Sequence, residues 1–507
     1  MAHQEQQHSE DDNKPKDNGW AARLARYIES RTGMTAPIVR PAPQYSMNPF
    51  YWLGALSVVA FLIQGVTGII MLFYYTPTPD AAYTSTQYIF KSVYFGQFLE
   101  TIHLYTAYAM IILVFMHMMR GYFVSVHRKP RELMWLTGMI MGFVTLGFGF
   151  TGYLLPWTVV SVAASDVGVG MVGVLPPPIA NLANFLLVGG SGPTSELLRF
   201  YDLHVVVLPA VLLGLLVAKM AMLETHGISE PVTGTLTERL RRTLPIFPDF
   251  TVYLLELSVV FGVGVLLFSA LFPLQLGPEY TATAAGAIAA QPDWYFLWLY
   301  QVLKISIFEK LGVAVALTVV TAVLGAMTIL PWIDRGDKKR IIERPRYVVL
   351  GAIFVTELIV LAAWGEVTPG QIISNISAVE LLGGTALVTA LVIFGIYAAV
   401  RPRSATTMSG GPSVSTQHPL RSNQAKWMGL SMTALMVVGA LGMGVSIDSV
   451  VKLAEFGMNA AMLERLTWSL SLLAAVVALT VFMFRYVGDK IGGDRPSTRL
   501  LHRLGLN

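Results

Sequence analysis

Ten long apolar stretches interrupt the polar positions of this chain. They lie near residues 50–74, 101–124, 134–155, 201–223, 251–273, 311–331, 346–364, 379–400, 427–446 and 466–485. Each is long enough to cross a hydrocarbon core about 30 Å thick. No strand-like alternation competes, and helices satisfy their backbone groups without water. The pattern predicts an all-α integral membrane protein of about ten transmembrane helices. The first 45 residues are polar, with a short amphipathic helix expected over Trp20–Ser30. No basic start, apolar run and cleavage site combine there, so the first span is expected to act as its own insertion signal.

Composition and charge sharpen this picture. Charged residues make up 13% and hydrophobic ones 54%, whereas soluble domains carry about 25% charged residues. An ordinary soluble enzyme is excluded. The chain has no cysteine, which removes disulfides, cysteine-ligated iron–sulfur clusters and covalent CxxCH haem attachment within it. A formal net charge of +4 is too even for a nucleic-acid partner. Of 35 Lys and Arg, 28 fall in the N-terminal tail and the even-numbered loops. The positive-inside rule then places both termini in the cytoplasm, with the chain multi-pass in the plasma membrane. The outer loops after spans three and five are long, and such loops are usually functional.

Only three of nine histidines lie within spans: His103, His117 and His204. Ionisable rings in hydrocarbon are costly and point to function, although a lone one is equally well a satisfied interhelical hydrogen bond. His103 and His117 are 14 residues apart, about 21 Å along a helix and within roughly 40° of one face. One helix thus offers an imidazole near each side of the membrane, as two stacked haems require. His204 falls level with His103. Gly54 and Gly68 in span one, and Gly138 and Gly152 in span three, repeat the 14-residue spacing. Bare glycine backbone admits a flat macrocycle; generic small-residue packing is the alternative.

Longer motifs carry a family resemblance. They are NPFYWLGALSVVAFLIQGVTGIIMLFYYTP in span one, His103 to Arg120-Gly121 in span two, RELMWLTG and GYLLPW in span three, RFYDLHVVVLP with HGISEP around span four, and PDWYF at 292–296. Over residues 46–365, and more weakly to 400, the chain resembles cytochrome b of the quinol-oxidising cytochrome bc and bf complexes. The resemblance implies two non-covalent b-type haems in a four-helix bundle. The outer haem would be held by His103 and His204, the inner by His117 and a residue of span four, with Arg120 beside the inner haem.

Two positions depart from the family pattern. The expected second span-four histidine is Lys219. Three readings stand: Lys219 ligates iron through a neutral amine, it snorkels or pairs with a propionate, or another residue ligates. Met220 and Met222 are poorly placed for that, and His226 is expected beyond the span. Glu100 stands where the family usually has an arginine near a propionate.

The resemblance further assigns Pro292, Asp293, Trp294 and Tyr295 to a quinol site, with Asp293 taking a proton and Tyr295 as a second contact. An ordinary helix N-cap also explains Asp293. Asp249 is a candidate contact of a cytoplasmic quinone site, or a helix-start carboxylate.

The implied function is the haem-carrying core subunit of a quinol:acceptor oxidoreductase, coupled to proton translocation. Its partners would be a Rieske iron–sulfur protein, a further acceptor such as a cytochrome or terminal oxidase, membrane lipid, and a second copy in a homodimeric complex. A di-haem anchor subunit of another respiratory oxidoreductase is the alternative. A broken-helix transporter would need midplane charge pairs and inverted repeats; neither is visible. The expected domains are a tail with an amphipathic helix at 1–45, a di-haem domain at 46–230, a second domain with the PDWY loop at 231–400, and a two-helix extension at 401–507.

Overall fold

The computed structural model describes residues 41–400, apart from 175–176, 188–192, 230–242, 246–250, 282, 285–290 and 337–340. The expected helix at 20–30, Asp249, the last two spans and the 401–507 extension lie outside the described residues. The expected all-helical membrane architecture is found. Seven described helices are long and apolar enough to cross a membrane. The sixth expected span is shorter, at 16 residues over Val313–Thr328.

The helices are numbered in chain order. Span one is α1 (Leu53–Leu72), and a connecting helix α2 (Ala82–Ser92) follows. Span two is α3 (Gly96–Phe123) and span three is α4 (Glu132–Leu154). The long loop after α4 folds into α5 (Val159–Gly173), α6 (Pro177–Leu187) and α7 (Pro193–Asp202). Helix α7 runs through a π-helical turn, Leu203–Val207, into α8 (Leu208–His226). The C-terminal half comprises α9 (Thr251–Leu271), α10 (Trp294–Leu303), α11 (Ser306–Leu311), α12 (Val313–Thr328), α13 (Leu330–Ile333), α14 (Pro345–Val367) and α15 (Asn375–Val400).

Helices α1, α3, α4 and α8 form a four-helix bundle in which α1 packs on α3, α3 on α4 and α4 on α8. Ala60, Met110 and Leu212 are buried together midway along it, surrounded by Phe61, Val114, Met141, Val144, Phe148 and Phe261. An apolar plug therefore separates the two ends of the bundle interior.

The π turn has a local cause. Pro209 has no N–H to bond Val205, and its ring crowds that carbonyl. The helix opens, and the Leu208 amide bonds back to Leu203 instead. Such turns are inserted residues that recur at functional sites.

Two features tie the halves together. Pro41–Pro43 pairs antiparallel with Thr243–Pro245, a small ladder that the hydrophobic pattern does not predict. At the α3–α4 connection, His127 and Arg128 reach Asp334, just after α13, at 2.8 Å and 3.2 Å. Arg344 also pairs with Asp334 and donates to Ser125. All four members of this ion cluster are buried. Burial, reinforced by the neighbouring arginines, lowers the His127 pKa to about 4. Burial works against the Asp334 carboxylate, but bonds from Arg128 and His127 hold it below its ordinary range.

Candidate functional site

The structure brings the histidines and glycines together in four pairs, one for each expected ligand. A Cβ placed on Gly68 would meet His103 Cε1 at 3.4 Å, and one on Gly152 would meet His204 Cε1 at 2.6 Å. At the other level, a Cβ on Gly54 would meet His117 Cε1 at 3.0 Å, and one on Gly138 would meet Lys219 Nζ at 2.9 Å. The glycines of α1 thus back the ligands of α3, and those of α4 back the ligands of α8. Each candidate ligand lies in a cradle that a side chain would fill.

The level of His103 and His204 is the more complete. Their ring centroids are 6.4 Å apart. Two imidazoles on opposite sides of one metal, each bonded at about 2 Å, place their centroids about 6 Å apart. Thr67 Oγ1 lies 2.8 Å from His103 Nδ1, and Thr151 Oγ1 lies 3.0 Å from His204 Nδ1. Gln64 donates to the backbone carbonyl of His103 and ties α1 to α3 there. At the other level the buried His117 Nδ1 has no hydrogen-bond partner among the described residues.

The π turn accounts for the unequal spacings. Fifteen regular steps from His204 to Lys219 would overshoot the starting face by about 60°, whereas 14 fall about 40° short of it. The turn absorbs one residue, so Lys219 regains the face relation that His117 has to His103. Arg120, expected beside an inner haem, places its guanidinium 3.8 Å above the Tyr51 ring. His226, expected beyond the span, is the last residue of α8. It is exposed, with Nδ1 bonded within its own turn.

The PDWY segment sits beside the His103 level. Asp293 is the N-cap of α10 and accepts from Trp294 N at 3.0 Å. The cap reading of this residue therefore holds. Capping does not exhaust the carboxylate, because the Tyr108 hydroxyl of α3 donates to Oδ1 and Oδ2 at 3.1 Å and 3.0 Å. Tyr295 is buried and also hydrogen-bonds Asp293. A Cβ on Gly149 would meet the Tyr295 ring at 2.8 Å, so the ring lies on bare α4 backbone. Burial, then the nearby Asp293 and Tyr153, raises the Tyr295 phenol well above its usual value and keeps it a donor. The sequence reading missed Thr67, Thr151 and Tyr108. The threonines had a signal, since each directly precedes a spaced glycine; Tyr108 had none.

The residues present fit haem at both levels: paired donors, glycine backing and an apolar plug between. The fold and site define a membrane-embedded helical bundle built to hold flat metal cofactors. The family model described as "Cytochrome b/b6/petB" matches residues 39–227, and "Cytochrome b(C-terminal)/b6/petD" matches 285–383. The cytochrome b6 of Heliobacterium mobile is 45% identical over 193 residues, 38% of this chain and 90% of that protein. The cytochrome bc complex cytochrome b subunit of Chlorobaculum thiosulfatiphilum is 31% identical over 345 residues, 66% of this chain and 79% of that one. The chain belongs to the cytochrome b/b6 family, electron-transport membrane proteins that carry b-type haem. A chain of a hyperthermophilic respiratory Complex III shares the fold, with a TM-score of 0.57 and 23% identity, covering 74% of this chain and 95% of that one.

Proposed function

We propose that this protein is the core subunit of a quinol-oxidising membrane complex with two b-type haems. The outer haem is held by His103 and His204, and the inner by His117 and Lys219. The observation that carries the reading is the fourfold pairing of ligand and glycine at two levels. The inward-turned Lys219 amine against Gly138 supports ligation over snorkelling. Bound there, the haems supply one-electron carriers by which one of quinol's two electrons crosses the membrane. The other electron goes to a Rieske iron–sulfur protein and onward to a cytochrome or terminal oxidase.

The residues handle the protons. Asp293 accepts a proton from a quinol hydroxyl as general base. Tyr295, kept protonated, donates to the carboxylate or the quinone oxygen. Protons leave at this outer face and are taken up at a cytoplasmic quinone site that includes Asp249. Both termini face the cytoplasm, and the complex is a homodimer in the plasma membrane.

Asp293→Asn keeps the shape and removes the proton-accepting group. Quinol oxidation is expected to fall about 10²-fold or more, while both haems remain in the reduced-minus-oxidised spectrum. Unchanged turnover would leave Asp293 only a helix cap that also accepts from the Tyr108 hydroxyl.

A further inference from the structure

We infer that Thr67 and Thr151 are positioning residues for the outer haem: their hydroxyls lock both axial imidazoles in one tautomer and orientation. The inference rests on His103 and His204 being the ligands. It follows from counting protons. A threonine hydroxyl has one hydrogen to give. Thr67 Oγ1 lies 2.7 Å from the Ile63 carbonyl, and Thr151 Oγ1 lies 2.8 Å from the Gly147 carbonyl. Carbonyls only accept, so a hydroxyl that gives its hydrogen to the turn below leaves its oxygen an acceptor. In the tautomer that leaves Nε2 for the metal, each oxygen accepts from its histidine's Nδ1–H, at 2.8 Å and 3.0 Å. Both rings carry their proton at Nδ1 and present the Nε2 lone pair for metal.

The arrangement is built twice, on two helices, by the same dipeptide. Thr67-Gly68 in α1 and Thr151-Gly152 in α4 each clear space for a ring and bond its far nitrogen. The inner level lacks it. Leu53 precedes Gly54, and Thr137 precedes Gly138, which faces a lysine that has no second nitrogen to offer. The buried His117 Nδ1 has no partner among the described residues. A hydrogen bond accepted from the far nitrogen orients a ligating imidazole and raises its basicity. More basic ligands favour the oxidised metal, so the two threonines lower the outer haem's midpoint potential and leave the inner one alone.

The test uses the intact membrane complex, with redox titration of each haem's visible band and low-temperature EPR. His103→Ala and His204→Ala assign the outer haem by its loss. Thr67→Val and Thr151→Val should each raise the outer midpoint and move its low-spin EPR signal. The double variant should shift it further, and the inner haem should not move. Thr67→Ser and Thr151→Ser should restore wild-type values. A valine variant with full haem content and unmoved midpoint and EPR signal overturns the inference, as does an equal shift of both haems. If valine costs the haem, the serine variants decide: haem at the wild-type midpoint supports the lock, and loss there too overturns it. Survival of the outer haem in His103→Ala or His204→Ala would instead refute the ligand assignment beneath it.

Discussion

The glycine–ligand pairs are unequally tight, which makes them testable one residue at a time. A Cβ on Gly152 would stand 2.6 Å from His204 Cε1, and that ring cannot swing away because Thr151 holds its far nitrogen. Gly152→Ala is expected to lower outer-haem content markedly. Gly68→Ala, where the contact would be 3.4 Å, should keep its haem; pyridine haemochrome assay reads both. Lys219 is a second single-residue case. Its cost in hydrocarbon demands a partner, and ligation requires a neutral amine. Lys219→Ala should turn the inner haem high-spin with the outer haem untouched, and Lys219→His should return it to low spin with a shifted potential. A low-spin inner haem in Lys219→Ala would show that Lys219 is no ligand.

At the scale of the element, the π turn before α8 sets the register between His204 and Lys219. A π turn is an α-helix with one residue inserted. Deleting Val206 removes the insertion and leaves the flanking turns where they were, so both haems should be retained. Inserting an alanine after Val206 turns Lys219 about 100° further round and should cost the inner haem. Pro209 made the turn legible in principle, but the apolar run through span four hides it from a hydropathy reading. The membrane-crossing helices of 46–400 were readable because lipid imposes long apolar runs, whereas the helices inside the connections, such as α5 and α7, were not. Helix ends were less readable than the spans: the cap at Asp293 was legible, but the short span Val313–Thr328 is decided by local packing.

At the scale of the molecule, the α3–α4 connection is pinned to the C-terminal half by one carboxylate. Asp334 faces Arg128, Arg344 and His127 in a buried cluster. Asp334→Asn leaves two buried guanidinium groups without their counter-charge and should cost about 3–5 kcal/mol, read as a lowered unfolding temperature of the detergent-solubilised protein. The same cluster sets an acid limit. His127 titrates at about 4 when folded and near 6.5 when unfolded. Its preference for the neutral form is fully present above pH 6.5 and is lost progressively as pH falls toward 4. His127→Gln should flatten the loss of thermal stability across that window.

The apolar runs marked the membrane helices, the longer motifs such as PDWY carried the family resemblance, and the 14-residue spacings pointed to two levels of candidate ligands with glycines facing them. The runs and spacings are properties of one helix at a time, and helical periodicity carries them from the linear order alone. What lay across helices was decided only by the tertiary structure: Thr67 on His103, Thr151 on His204, Tyr108 on Asp293, and Asp334 on His127. Each joins residues from 36 to 207 positions apart. No period relates such partners; their meeting is set by which faces of which helices pack.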